Sequence, residues 1–262
     1  LFPERVGRAA AVVPTAIPDA TFLETFDREA RPVRAKADGY LHFLDADSLL
    51  ELATLHDVVI RVERLPGHYV VAGCPLILVW PGERVGDCHA DQVNAAFALG
   101  NQRTSGQDIE FAVTQLVEIA LRSLSLGVND PFTAITCVDH LASALCRLAT
   151  RDMPSPYRYD VKDQLRLMAA GPSFEEVTDV ALNQIRQYSR SSAAVTIRLL
   201  ETIAVVVPFA HRSRDRAALL KHAGLIARGA QGGLPEAADR QVVEKRYHSV
   251  IQLCGDVVGS SS

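Results

Sequence analysis

The hydrophobic pattern changes its period once along the chain, and this change limits the fold more than any other feature of the sequence. From Val33 to Trp80, apolar residues come in short alternating or β-branched runs, such as 58–62, that are typical of strands. After Pro81-Gly82 they recur every three or four residues, which is the period of helices with one apolar face. The sequence therefore predicts an α+β fold, predominantly α, in which a small β module precedes an α-helical bundle.

The same change of period sets the predicted domain boundaries. We interpret residues 1–32 as a linker, 33–81 as the small β module, 82–255 as the helical bundle domain and 256–262 as a disordered tail. With 262 residues, 48% of them apolar, the chain is long enough for one large domain or two modest ones, each with its own core.

Capping signals and breakers predict where the elements begin and end. Asp45 or Asp47 caps a short helix inside the β module, and Asp91 caps a helix that runs through Leu99. Capping boxes open two further helices at Ser105 and Ser173. Residues 157–159 and 164–168 are predicted as a small hairpin or an irregular loop, with helix as the alternative. The helices predicted for the bundle beyond Leu99 are 105–125, 129–150, 173–188, 192–208, 214–228 and 235–253.

Charge and cysteine content exclude several classes of protein. The chain has 27 Lys and Arg against 31 Asp and Glu, so it lacks the basic excess of nucleic-acid-binding proteins and no nucleic acid is expected as a partner. Its five cysteines are odd in number and form no C-x-x-C pair, which argues against a disulfide framework and favours a reducing compartment. The longest apolar stretch, 203–210, is far shorter than the about 20 residues that cross a bilayer.

No strong catalytic or metal motif is present in the sequence. Phosphate loops, dinucleotide-binding glycine patterns, nucleophile elbows and His-Glu-x-x-His are all missing. Cys88-His89-x-Asp91 contains ligand types but has no second cluster at metal-ligand spacing, and Asp91 serves equally well as a helix cap. We therefore predict no catalytic residue, no metal and no cofactor.

Most of the polar residues that are candidates for a site lie between Arg103 and Thr133. The predicted helix 105–125 is apolar around most of its circumference and should be largely buried, yet one narrow stripe is polar. Either these groups satisfy one another, as Glu118 and Arg122 do at a spacing of four, or they line a pocket for a small anionic or polar ligand. The candidate ligand-binding residues are Arg103, Thr104, Gln107, Asp108, Glu118, Arg122, Asn129, Asp130 and Thr133.

A second polar surface is predicted on the helix 173–188 and just after it. Asn183, Arg186, Gln187 and Arg190 share one face, and further arginines make the C-terminal half locally basic. This face is either an ordinary solvated helix surface or a docking surface for a partner or for acidic lipid headgroups.

Several of these segments resemble the domain of unknown function 2254 family, bacterial proteins described as predicted membrane proteins. The longest match is Gly127-x-Asn129-Asp130-Pro131-x-Thr133-Ala134, preceded by Arg103-Thr104-x-x-Gln107-Asp108 and by the run 116–125. The segments 39–45, 66–76 and 182–188 resemble the family as well.

This resemblance implies that membrane helices lie upstream of the region. The chain, which begins at Leu1, is therefore expected to be the soluble C-terminal region of a bacterial inner-membrane protein. Its thiols favour the cytoplasmic side of that membrane. Its expected partners are its own membrane helices and further copies of itself. The β module also resembles a lipoyl or biotinyl sandwich, but His68 and Tyr69 stand where the modified lysine would be, so no attached cofactor is expected.

Three functions follow from these observations as hypotheses. The first is a non-catalytic domain with a regulatory, ligand-sensing or assembly role. The second is a hydrolase-type enzyme that uses Asp108 or Glu118 with arginine stabilising an anion. The third is a gating domain of a transporter or channel. Carboxylates closed into arginine pairs would favour the first hypothesis over the second.

Overall fold

The structure is a computed structural model that describes residues 18–84 and 86–259, and these residues divide into two compact units. The first unit contains the described chain up to Phe111 together with Met153–Gly171, and the second contains Ala112–Asp152 and the chain from Pro172 onward. The fold is α+β and predominantly α, which confirms the predicted class.

The first unit is built on two small sheets. Its larger sheet has five strands in the order β1-β5-β3-β8-β7, antiparallel except for the parallel pair β3 and β8, and the smaller sheet has the order β4-β2-β6. The strands are β1 (Arg31–Arg34), β2 (Gly39–Leu44), β3 (Val59–Val62), β4 (Tyr69–Val70), β5 (Pro75–Trp80), β6 (Phe97–Gly100), β7 (Tyr157–Tyr159) and β8 (Leu165–Met168).

Strand alternation places apolar side chains on both faces of the larger sheet. Ile60 and Ile77 belong to the main core of the unit, which also holds Leu49 of the helix α2 (Ala46–Leu55). The neighbouring residues on the strands, such as Val59, pack instead with Phe26 of the helix α1 (Ala20–Glu29). Burial on both faces therefore requires a helix on each side of the sheet.

The second unit is helical. Its helices are α5 (Pro131–Ala149), α6 (Phe174–Tyr188), α7 (Ala193–Val206), α8 (Ser213–Gly233) and α9 (Ala237–Gly259), together with most of α4 (Ile109–Ser123). Helix α7 packs on α5, α8 and α9, while α6 packs on α8. The side chains of Leu199, Leu200 and Ile203 on α7 are fully buried, which places this helix in the core of the bundle.

Several element boundaries differ from the sequence predictions. Residues 20–32 of the predicted linker form α1 and the first part of β1, because Phe26 supplies an apolar face that the sheet buries. The predicted helix from Asp91 through Leu99 is α3 (Asp87–Ala95), so Asp91 lies inside the helix and the prediction that it is the cap is wrong. The chain enters β6 before Leu99 because that segment pairs with β2. Residues 1–17 and 260–262, which belong to the predicted linker and tail, lie outside the described residues.

The segment 153–171 is the largest difference from the predicted domain boundaries. It forms the hairpin β7–β8, and β8 pairs with β3 of the first unit, although the chain enters and leaves the segment from helices of the second unit. The prediction of a hairpin at 157–168 matches these strands. Its placement in a sheet with residues about a hundred positions earlier has no local signal in the sequence.

Candidate functional site

Asp108 is the most enclosed of the predicted ligand-binding residues. Only 4% of its surface is exposed, and its carboxylate accepts hydrogen bonds from Arg103 Nε at 2.9 Å and from the Phe111 backbone N–H at 2.9 Å. The Arg103 guanidinium also approaches Asp108 with Nη2 at 2.7 Å and lies over the Phe111 ring at 5.5 Å from its centroid. The carboxylate thus has three donors and serves as the N-terminal cap of α4.

This cap moves the start of the helix. The predicted box at Ser105 would begin a helix there, but Asp108 receives the Phe111 N–H and α4 begins at Ile109, so that prediction is wrong by one turn. Gly67, at φ +94°, lies so close to Asp108 that a β-carbon at this position would be 2.3 Å from the carboxylate oxygen. A glycine is therefore required for the turn to cover the Arg103–Asp108 pair.

Gln107 connects the same loop to the smaller sheet. Its side-chain Oε1 accepts the Leu44 backbone N–H at 2.9 Å, and its Nε2 donates to the Leu44 carbonyl at 3.4 Å. The side chain thereby occupies both backbone groups of one residue at the end of β2. Thr104, also predicted for the site, is exposed.

Glu118 and Arg122 lie on an exposed part of α4. Arg122 Nη2 is 3.4 Å from Glu118 Oε2, and the two side chains are 80% and 49% exposed, respectively. Ile119 between them is 47% exposed, so the prediction of a largely buried helix is wrong for this face. The buried side chains of the helix are Val113, Val117, Ala120 and Ser123, which recur at helical spacing and form one narrow stripe.

Asp130 caps α5, as the sequence predicts. Its carboxylate accepts the backbone N–H groups of Phe132 and Thr133 at 3.1 Å each and the Thr133 hydroxyl at 2.6 Å. The hydrogen bonds from Thr133, followed by that from Phe132, lower the pKa of Asp130 below its ordinary value despite a small opposing effect of desolvation. Asn129, at φ +48°, adopts the left-handed conformation that turns the chain into the helix.

The structure thus divides the predicted ligand-binding residues into two groups. Arg103, Thr104, Gln107 and Asp108 belong to the first unit, whereas residues from Glu118 to Thr133 belong to the second. Within each group the contacts are ion pairs, helix caps and backbone hydrogen bonds. A common pocket formed by all nine residues remains a prediction.

The second predicted surface contains one internal hydrogen bond. Arg186 Nη2 donates to Asn183 Oδ1 at 3.0 Å, while Gln187 and Arg190 are exposed. Arg186 itself is only partly exposed, and its Nε is buried without a hydrogen-bond partner.

Sequence reasoning missed an open pocket of about 510 Å³ in the first unit. Arg166, whose side chain is 10% exposed, pairs there with Asp57 and Asp160 at 2.8 Å each. Hydrogen bonds from Arg166 and then Arg84 lower the pKa of Asp57. The pocket is lined by Pro18, Asp19, Phe22, Asp57, Val59, Trp80, Pro81, Arg84, Tyr159, Gln164, Leu165 and Arg166.

The cations of this pocket are already engaged by carboxylates. Asp57 and Arg166 are 109 positions apart, so no spacing in the sequence could reveal their pairing. The apolar wall is formed by Phe22 and Trp80, whose rings meet edge to face at 5.4 Å. The arrangement suits a small, mostly apolar group better than a free anion.

The Cys88-His89-x-Asp91 segment lies at the start of α3. His89 Nδ1 accepts the Gly86 backbone N–H at 3.2 Å, and the Asp91 carboxylate pairs with Lys36. Over the part of the chain that the structure describes, no three His, Cys, Asp or Glu side chains are close enough together to hold a metal ion. The Cys88 side chain lies outside the described residues.

Fold and site together define a helix-rich α+β protein whose predicted polar residues act as helix caps and ion pairs in two compact units. The chain belongs to the family described as predicted membrane protein (DUF2254), whose sequence profile matches residues 7–205. The resemblance found from the Asn129-Asp130-Pro131 region is thereby confirmed.

Two curated relatives are similar over most of the chain. The uncharacterized protein Mb1321c of Mycobacterium bovis and the uncharacterized protein Rv1290c of Mycobacterium tuberculosis are each 33% identical over 220 residues. The alignment covers 82% of this chain and 42% of each relative, so the chain spans less than half of their length. No solved structure matches the chain.

One helix among the described residues is long and apolar enough to cross a bilayer. It is α5, which has 19 residues. Its apolar residues Val138, Leu141 and Leu145 are buried in the second unit, and core helices of soluble proteins meet the same criterion.

Proposed function

We propose that this chain is a non-catalytic, soluble region of a bacterial inner-membrane protein and that it helps to assemble that protein by self-association. Among the regulatory, ligand-sensing and assembly roles considered from the sequence, assembly has the most direct structural support. Membership of a family described as predicted membrane protein supports the bacterial membrane location. The free thiols of Cys74, Cys137, Cys146 and Cys254 support the cytoplasmic side.

The exposed apolar tip between α4 and α5 carries this proposal. Leu126 is fully exposed, Phe132 is 79% exposed and Val128 is also exposed. Hydrogen bonds hold these residues in a fixed turn, since the Val128 and Asn129 N–H groups donate to the Ser125 carbonyl at 3.0 and 2.9 Å. Exposed apolar clusters on a fixed backbone are typical of protein–protein contacts, and self-association would remove them from water.

The state of Asp108 supports a non-catalytic role. A general base must have an oxygen free to take a proton from its substrate. Asp108 is buried, and its oxygens accept donors from Arg103 and the Phe111 backbone. Glu118 is exposed beside Arg122, and neither a nucleophile nor a metal cluster is found with it among the described residues.

Light scattering of the 262-residue chain over a range of concentrations tests the assembly role. We expect an oligomer in the wild type and a shift toward monomer in Leu126→Ser and Phe132→Ser, because each variant makes the exposed tip polar. Val161→Ser is the matched control, since Val161 is equally exposed but lies in the turn between β7 and β8. A wild-type chain that stays monomeric at the highest concentration contradicts the proposal.

A further inference from the structure

Three arginines of the second unit lack an acidic partner. Arg186 lies on α6, Arg190 follows this helix, and Arg228 lies on α8, which packs against α6. Among the described residues, no Asp or Glu side chain comes within ion-pair distance of any of the three, in contrast to Arg198, which pairs with both Asp139 and Glu201. What sets the three apart from other unpaired arginines of the chain is that Arg186 is partly buried and that the charges of Arg190 and Arg228 lie near it.

The nearest carboxylate is already used by other cations. Asp179 of α6 receives His222 Nε2 at 2.7 Å and Lys221 Nζ at 3.2 Å. Lys221 Nζ also contacts Glu175 at 3.0 Å. Asp179 therefore acts on the charge of Arg186 without forming an ion pair with it.

The charges of Arg190 and Arg228 lie close enough to Arg186 to affect it. Burial is the main reason that the pKa of Arg186 is lowered, and the nearby charges of Arg190 and Arg228 lower it further, against an opposing effect of the Asp179 carboxylate. A β-carbon at Gly229 would meet Arg190 Cγ at 3.9 Å, which shows that the α6 end lies directly on α8. The cluster holds like charges together, with the Arg186 Nε buried and unpartnered.

We propose that Arg186, Arg190 and Arg228 form a binding site for a phosphate-type oxyanion, supplied either as a free phosphate compound or as a phospholipid headgroup. Guanidinium groups match phosphate oxygens with paired N–H donors, and a bound anion would neutralise the repulsion among the three side chains. Asn183 orients Arg186 through the hydrogen bond to Nη2. This site is separate from the apolar tip and goes beyond the proposed role in assembly.

Two binding measurements on the full 262-residue chain test the site and distinguish the sources of phosphate. The first is calorimetric titration with inorganic pyrophosphate at constant ionic strength. The second is co-sedimentation with phosphatidylglycerol vesicles, with phosphatidylcholine vesicles as the neutral reference. We expect binding in at least one of them, weakened about tenfold or more by Arg186→Gln and by Arg228→Gln, because each removes charge-assisted hydrogen bonds.

Arg147→Gln is the matched control for a general loss of positive charge. Arg147 is an exposed arginine on α5 of the same unit, and its substitution should leave binding within about twofold of the wild type. Arg228 is exposed, so Arg228→Gln also tests the site if Arg186→Gln fails to fold. Without an anion, Arg228→Gln should melt no lower than the wild type, because it relieves repulsion.

Each pattern of results either supports or overturns the proposed oxyanion site. Pyrophosphate binding that depends on Arg186 and Arg228 supports a site for soluble phosphate compounds, and vesicle binding alone supports a lipid headgroup. Absence of binding to both probes overturns the proposal, as does an equal loss in Arg147→Gln and Arg228→Gln. Self-association is measured independently by light scattering, so failure of one proposal leaves the other open to its own test.

Discussion

At single positions, the polar residues near α4 differ sharply in burial, and burial decides how much each contributes to the stability of the fold. The Arg103–Asp108 pair is covered by the turn at Gly67, whereas the Glu118–Arg122 pair lies in water. Water screens an exposed pair. Removal of the charge of a buried carboxylate, in contrast, leaves its guanidinium partner unpaired in a poorly solvated place. The two pairs therefore offer a direct comparison within one chain.

Asp108→Asn should lower the free energy of unfolding by about 2 kcal/mol, because it removes the charge from a buried, hydrogen-bonded pair. Asparagine still caps a helix, so the loss reports on the ion pair more than on the start of α4. Glu118→Gln is the control and should change stability by less than about 0.5 kcal/mol. Urea unfolding of the three proteins measures these values. Equal stability of Asp108→Asn and wild type would contradict the assignment.

His222 makes stability depend on pH. Its imidazole is fully buried, and desolvation, with the charges of Lys221 and Arg186, lowers its pKa below the ordinary 6.5 in spite of the contact with Asp179. The Nε2–H of neutral His222 donates to Asp179, and Nδ1 is buried without a partner. The folded protein therefore holds this side chain neutral where the unfolded chain would already take up a proton.

Stability should fall as the pH drops below about 6.5, because the unfolded state then binds more protons at His222 than the folded state. The pKa of Asp179 is also lowered, by the hydrogen bonds from His222 and Lys221, which outweigh its burial, so its contribution is lost in the same direction at still lower pH. His222→Gln should flatten the slope between pH 7 and pH 5 in thermal unfolding. A slope identical to that of the wild type would show that other groups cause it.

Among the elements, two helices begin directly after a serine, α6 after Ser173 and α7 after Ser192, and the two starts differ. Ser173 accepts the Glu176 N–H at 3.1 Å, and Glu176 in turn accepts the Ser173 N–H at 2.7 Å, so α6 has the complete capping box that was predicted. Ser192 precedes α7, but its side chain makes no capping hydrogen bond. The prediction of a serine cap is confirmed for α6, while α7 starts without such a bond.

Ser173→Ala should destabilise the protein by about 1 kcal/mol, since it leaves an N–H group of the first turn without an acceptor. Ser192→Ala should leave the stability almost unchanged, because the Ser192 side chain accepts no capping hydrogen bond. Chemical denaturation of both variants beside the wild type checks the difference. A loss at Ser192 as large as that at Ser173 would mean that capping is not the source of the effect.

Local signals explain which elements the sequence predicts well. The Asp130-Pro131 start of α5 and the box at Ser173 depend on residues within one turn, and both are found in the structure. The start of α4 was misplaced because Ser105 and Asp108 are both capping residue types, and the pairing of Asp108 with Arg103 under the distant turn at Gly67 selects the second. Pairs such as Asp57 with Arg166 join distant segments, so neither they nor their pocket could be predicted from spacing.

For the molecule as a whole, the decisive feature is that the first unit is discontinuous in sequence. Its sheet needs β7 and β8, which the chain supplies only after it has formed α4 and α5. Leu167 of β8 is fully buried in the main core of the unit, and Arg166 beside it closes two ion pairs. The segment 153–171 is therefore structural and does not behave as a surface loop.

Replacing residues 153–171 with a Gly/Ser linker of equal length should remove protection of the β3 amides in hydrogen exchange, because β3 loses its parallel neighbour and the core loses Leu167. Two glycines inserted after Val161, which is fully exposed in the β7–β8 turn, are the control and should be tolerated. Unchanged protection in the linker variant would contradict the structural role of the segment.

This discontinuity also affects synthesis on the ribosome. When β3 has emerged, the strand that will lie beside it, Leu165–Met168, is still about a hundred residues from being translated. One edge of the nascent sheet therefore stays unpaired while the whole of α4 and α5 is synthesised. Unpaired strand edges can form hydrogen bonds with other chains. During translation, the β-rich part of this protein should therefore depend on chaperones until Leu165–Met168 has been made.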